Sequence, residues 1–174
     1  DQEPTMNPLR NKFIMRGIAL FVLTAFFALP AMAALRFQTA GTKDVRNAMV
    51  TAILTEIDED AGAGLLRIYS GAAPATCAAL GAQVLLAELT FSVTSGAVSG
   101  GILTFAAITS GTGTAGAGGG TTATWFRVTD AGGECVFDGN VAVSSSDLNL
   151  NTTTIVQNAV VSINNFMTIT APNP

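Results

Sequence analysis

Hydrophobic positions recur along this chain with two different periods, and the change falls near residue 64. In "TKDVRNAMVTAILTEIDED", residues 42–60, Val45, Ala48, Met49, Ala52, Ile53 and Ile57 return at helical spacing. The pattern predicts one amphipathic helix over about 43–60, with Val45, Met49, Ala52 and Ile53 facing the rest of the fold. Thr42 is placed to cap it, Asp44 suits its first turn, and "AGAG" after it ends it. The acidic run Glu56, Asp58, Glu59 and Asp60 reads as a solvated helix end rather than a cation site.

Beyond Gly64 the pattern becomes that of short strands. "LLRIYS" (65–70) and "VLLAELTFS" (84–92) are separated by the loop "GAAPATCAALGA", with Pro74 fixing a turn. "VSGGILTFAAIT" reads as one strand broken by a bulge or bend at Gly100-Gly101. "TATWFRVTD" and "ECVFDGNVAV" are joined by "DAGG", a hairpin signal. "AVVSINNFMTIT" alternates at Val161 and Ile163, slips near Asn164-Asn165 and resumes at Phe166. About seven such strands after one helix predict a mainly β fold, an antiparallel β-sandwich or jelly roll with one N-terminal amphipathic helix. Alternation in the central hairpin sends Phe126 and Val128 to the core and Trp125 and Arg127 to the outside. Trp and Arg are enriched at binding hot spots, so Trp125 and Arg127 are the expected subunit interface.

A third pattern precedes both. "MNPLRNKFIMR" is basic, "GIALFVLTAFFAL" is apolar nearly all round, and "AMAA" follows Pro30. A basic, an apolar and a small-residue segment in that order match a secretory signal. The apolar run falls short of the roughly 20 residues that span a bilayer, so no stable membrane anchor is expected. The alternative is that residues 1–31 lie upstream of the true start at Met32. Either way residues 1–33 form a leader, and residues 34–174 a single β domain.

Composition narrows the chemistry. Hydrophobic residues make up 49% and charged residues 11%, enough for a core under a quiet surface. The absence of His removes the commonest general base and metal ligand. A net charge of −4, with no basic cluster after Arg16, argues against nucleic acid as a partner. Cys77 and Cys135 lack zinc-type spacing. They read either as two separate half-buried thiols or, in an exported protein, as one bridge.

The short motifs are weak. "GTGTAG" (111–116) matches a dinucleotide fingerprint and follows a strand, but Gly-rich and strand-like sequence replaces the required helix. Asp147, Asn149 and Asn151 begin like a calcium loop, but Thr152 stands where Gly is needed and Asn158 where the bidentate Glu belongs. Local side-chain bonds to the backbone are their expected role. Lys43 reads as a surface charge rather than a serine-activating base. Asp130, Glu134 and Asp138 flank the hairpin without signs of a sugar cleft. No catalytic residue, cofactor or metal is expected.

"LRFQTAGTKDVRNAMVTAIL", "GLLRIYSGAAPAT", "LLAELTF", "TATWFRVTDAGGECVFDGNVAV", "DLNLNTTTIV" and "VVSINNFMTIT", in this order, cover most of residues 34–170. With them the chain resembles a group of small virion proteins of tailed bacteriophages and prophages. The resemblance implies a start near Met32 and a non-enzymatic structural, decoration or tail-associated subunit. Its partners would be other virion proteins and its own copies, as a trimer or another symmetric oligomer. The 31-residue extension and the two cysteines depart from the group's pattern. The alternative is an exported bacterial β-sandwich adhesin or sugar-binding module.

Overall fold

The structure is a computed structural model that describes residue 37, residues 44–164 and residues 167–172. The leader, Thr42, Lys43 and Phe166 lie outside the described residues. The fold is mainly β, antiparallel and sandwich-like, with one helix.

Helix α1 spans Val45–Ile57, and its N-cap is Asp44, whose carboxylate accepts from the Asn47 amide. Its buried face is Arg46, Val50 and Ile57, flanked by half-buried Ile53 and Leu54. Val45 and Met49 are each 40% exposed, which corrects the expected face by roughly one residue. The reason is Arg46, which takes a core-facing position: Nη2 donates to the Ala171 carbonyl at 2.9 Å. A reading that sends every Arg to water rotates the helix the wrong way.

Strands β1 (Leu65–Ser70), β2 (Val84–Thr90), β3 (Gly96–Ser99) and β4 (Ile102–Phe105) come next. The last two form a hairpin, Ser99 opposite Ile102, and not one broken strand. Gly100 and Gly101 both have positive φ, 59° and 78°, the backbone that a two-residue hairpin turn demands. Asn47 on α1 accepts from the Gly101 amide at 2.6 Å, so the turn docks on the helix. At the other end of α1, Ser95 donates its hydroxyl to Asp58 at 2.6 Å.

The remaining strands are β5 (Gly111–Thr112), β6 (Thr121–Thr122), β7 (Trp125–Thr129), β8 (Cys135–Ala142), β9 (Leu148–Asn149), β10 (Thr154–Ile155), β11 (Val160–Val161) and β12 (Thr168–Thr170). The main sheet has the order β2-β1-β7-β8-β9, antiparallel except for β8 with β9. β12-β4-β3 makes a second sheet, and β10-β6 and β11-β5 make two short ladders. As expected, the "DAGG" segment joins β7 to β8.

One face of the main sheet carries Leu66, Ile68, Leu89, Phe126 and Val128, all buried. These join Val50 and Ile57 of α1 and Leu103 and Phe105 of β4 in a single core. Phe91 and Phe105 meet at 5.3 Å between ring centroids, linking the end of β2 to β4. Gly139 lies opposite Phe126 in the ladder, where a Cβ would overlap the ring.

Candidate functional site

The other face of the main sheet holds the polar and aromatic groups. Arg67 on β1 faces Arg127 on β7, with Glu88 and Asp138 as their neighbours on β2 and β8. One rung thus reads Glu88, Arg67, Arg127, Asp138 across four strands. Two cations side by side would repel, and each is drawn outward to its own carboxylate. Arg67 Nε meets Glu88 at 2.8 Å, while Arg127 grips Asp138 with both Nε (2.7 Å) and Nη2 (2.9 Å). The two pairs differ in setting: the Arg67–Glu88 side chains are 26% and 40% exposed, the Arg127–Asp138 side chains 8% and 10%. An exposed pair contributes little, whereas a buried one cannot lose a partner cheaply.

The next rung is aromatic. Tyr69 and Trp125 are opposite each other and stack at 4.5 Å between centroids, tilted by 13°. The Arg127 guanidinium lies 5.5 Å from the Trp125 ring centre, within cation–π range. Trp125 Nε1 is buried without a hydrogen-bond partner.

Trp125 and Arg127 are therefore brought together, but not as an open interface. Trp125 is 1% exposed and Arg127 6%. The expectation that they face outward from the folded chain is corrected: all five residues of β7 are buried. Alternation does send Trp125 and Arg127 away from the core, but that face is itself covered. Cys77 and Ala78, in the segment between β1 and β2, reach back to Cys135, Asp138 and Arg127 on it. Cys77 and Cys135 form a disulfide, which overturns the reading as separate thiols. The Cys77 amide donates to Asp138 Oδ2 at 3.0 Å, and Arg127 Nη1 donates to the Ala78 carbonyl at 3.0 Å.

These contacts set the local acidity. Burial works to raise the Asp138 carboxyl, but the Arg127 guanidinium and the Cys77 amide outweigh it and hold the group below the usual carboxylate range. The hydrogen bond to Asp138 in turn raises Arg127. Burial pushes the Tyr69 phenol up, against the lowering effect of the two arginines. Among the described residues, Cys77, Cys135 and Asp138 form the one close grouping of metal-ligand types. With both sulfurs in a disulfide it offers no thiolate to a metal.

The other candidate groups serve the architecture. Asp130 Oδ1 accepts from the Glu134 amide and closes the β7–β8 turn, while Asp138 is held by Arg127. Asn149 accepts from the Ser146 amide three residues back, the local bonding expected, whereas Asp147 accepts from the Asn140 amide and Asn151 from the Ser162 amide, partners seven and eleven residues away. In "GTGTAG", Gly111 belongs to β5 and only a three-residue 3-10 turn, Ala115–Ala117, follows. A Cβ at Gly111 would strike the Glu88 carbonyl, and one at Gly113 the Val156 carbonyl. These glycines allow close backbone approach within the fold. An open groove of about 400 Å³ runs between Phe137–Gly139 of β8 and Thr168–Thr170 of β12.

Several aliphatic side chains are exposed, among them Val93, Val143 and three valines near the glycine-rich segment. Val84 and Val156 border the glycine-rich segment 113–120, and Val160 pairs with neighbouring Thr112. Val84, Val156 and Val160 are 41%, 39% and 59% exposed. The sequence pattern did not single out these valines, which lie far apart along the chain. Among the described residues, no helix is long and apolar enough to cross a membrane. No protein-family model matches the chain, and no curated protein or solved structure matches it.

Proposed function

We propose that this chain is a non-enzymatic virion structural protein of a tailed bacteriophage or prophage. It would serve as a capsid decoration or tail-associated subunit that works by protein–protein contact, including association with its own copies. The observation that carries the reading is the exposure of Val84 and Val156, which border the glycine-rich segment 113–120, and of Val160, opposite Thr112. Exposed apolar side chains on a surface with few charges suit a subunit contact. The resemblance of the strand and turn segments to small virion proteins supports the same reading, and a disulfide is compatible with a virion surface. We put the interface at these valines rather than at Trp125, which is buried within the folded chain.

The test combines sedimentation of the purified protein with mass spectrometry of purified particles. The expected result is a symmetric oligomer that Val160→Asp dissociates without loss of fold, and the protein's presence in particles. A monomer absent from particles overturns the proposal.

The Cys77–Cys135 disulfide favours a second reading, an exported bacterial adhesin or sugar-binding module whose leader is a signal peptide. Recovery of a periplasmic form beginning just after residue 33 supports it.

A further inference from the structure

We propose that the Cys77–Cys135 disulfide is a redox clasp, holding residues 71–83 as a strap over the Tyr69–Trp125 face and releasing it on reduction. This inference does not depend on the virion reading. The strap leaves β1 at Ser70 and re-enters β2 at Val84, a pair that ends the β1–β2 ladder next to Tyr69. Between these ends it runs back to Cys135, Arg127 and Asp138. From these fixed points, and from the burial of Tyr69 and Trp125, we infer that it passes over the stacked pair.

Besides the bond, hydrogen bonds alone hold the strap, with no buried side chain. None of residues 71–83 is buried, and the segment consists largely of Gly and Ala. It therefore lacks an apolar anchor in the core. Two hydrogen bonds tie its middle to the sheet, Cys77 N to Asp138 and Arg127 Nη1 to the Ala78 carbonyl; near its ends Thr124 Oγ1 donates to the Gly71 carbonyl, Gln83 Nε2 to the Ala72 carbonyl, and the Gly81 amide to Gln83 Oε1. Such bonds contribute modestly in net terms, against the conformational entropy of ordering the whole segment. Cys77 also has φ of 55°, in the left-handed region that a residue with a Cβ avoids. The conformation at the tip is imposed by its attachments rather than chosen by the chain.

Reduction by a dithiol balances as follows. A reductant thiolate attacks one cysteine sulfur, the protein S–S bond breaks, and the other cysteine leaves as thiolate. The second reductant thiol then displaces the cysteine still held in the mixed disulfide. The reductant is oxidised to its own disulfide, and its two protons end on Cys77 and Cys135. The strap is then free to lift, uncovering Tyr69, Trp125 and Arg127.

Trp125 is the only tryptophan of the chain and reports directly on its cover. The full chain is compared before and after dithiothreitol, with free thiols titrated to confirm complete reduction. The expected result is a red-shifted Trp125 emission and a severalfold rise in acrylamide quenching, with the far-ultraviolet circular dichroism unchanged. Hydrogen exchange should accelerate in residues 71–83 while residues 65–70 and 125–129 stay protected. The Cys77→Ser, Cys135→Ser double variant should show the open behaviour without reductant. Unchanged Trp125 emission after both thiols titrate overturns the proposal. So does loss of protection throughout β1 and β7, which would make the bond a staple of the whole domain rather than the clasp of one segment.

Discussion

Arg127 and Asp138 face each other across β7 and β8 in a two-pronged ion pair, and the same carboxylate accepts the amide of Cys77 from the strap. One carboxylate thus joins two strands and their cover. Asp138→Asn leaves the buried guanidinium with a neutral partner and should destabilise the domain by about 3–5 kcal/mol, the range for breaking a buried pair. Urea titration at neutral pH measures it. The pH dependence has a defined sign. The Asp138 carboxyl is held below its ordinary value in the folded chain, so the unfolded chain binds the proton more readily. This stability is present above about pH 4, the ordinary carboxyl value, and is lost as pH falls through the lower folded value. The acid limb of the wild-type stability curve should flatten in Asp138→Asn.

Trp125 is a packing residue of the single chain. Its stacking on Tyr69 and near-complete burial mean that Trp125→Ala should cost about 3–5 kcal/mol of folding stability. Thermal unfolding at low protein concentration separates this from an effect on association. A variant as stable as the wild type would show that the strap closes over the vacated space.

The rotated face of α1 gives a paired test. Ile57 is fully buried, and Ile57→Ala should cost about 2–5 kcal/mol. Met49 is 40% exposed, and Met49→Ala should cost clearly less than Ile57→Ala. The reverse order in urea midpoints would restore the face that apolar spacing alone selects.

Gly111 tests the fingerprint-like segment. Its missing Cβ makes room for the Glu88 carbonyl, a backbone atom that cannot swing aside. Gly111→Ala should therefore destabilise the fold by about 1–3 kcal/mol, as overpacking does. Calorimetry in the absence of any nucleotide checks that the effect belongs to folding.

The sequence was informative where neighbours in the chain decide the outcome. Residues 65–70 and the "DAGG" hairpin follow from alternation and turn chemistry. Gly100-Gly101 was legible as a break, but a bulge and a two-residue turn share the same glycines. Only the Ser99–Ile102 pairing separates them. The face of Trp125 was placed correctly relative to the core, since Phe126 and Val128 do point inward. Its exposure was misjudged because alternation says nothing about a second layer, and a strap of Gly and Ala looks like any surface loop. Arg46 shows the same limit: a buried guanidinium is set by a carbonyl 125 positions away.

The β1–β7 ladder joins Leu65 to Thr129 and Tyr69 to Trp125, so its halves meet only after the chain between them has looped round. Long-range pairings of this kind slow folding to the millisecond-to-second range of all-β domains. In the oxidised chain the Cys77–Cys135 link, spanning 58 residues, keeps β8 tethered near the end of β1 even when unfolded. Much of the search is then already done. A chain that acquires the bond before it is challenged should recover its central ladder faster than one still reduced. The order of oxidation and folding would then set how long the edges of β1 and β7 remain unpaired and open to aggregation.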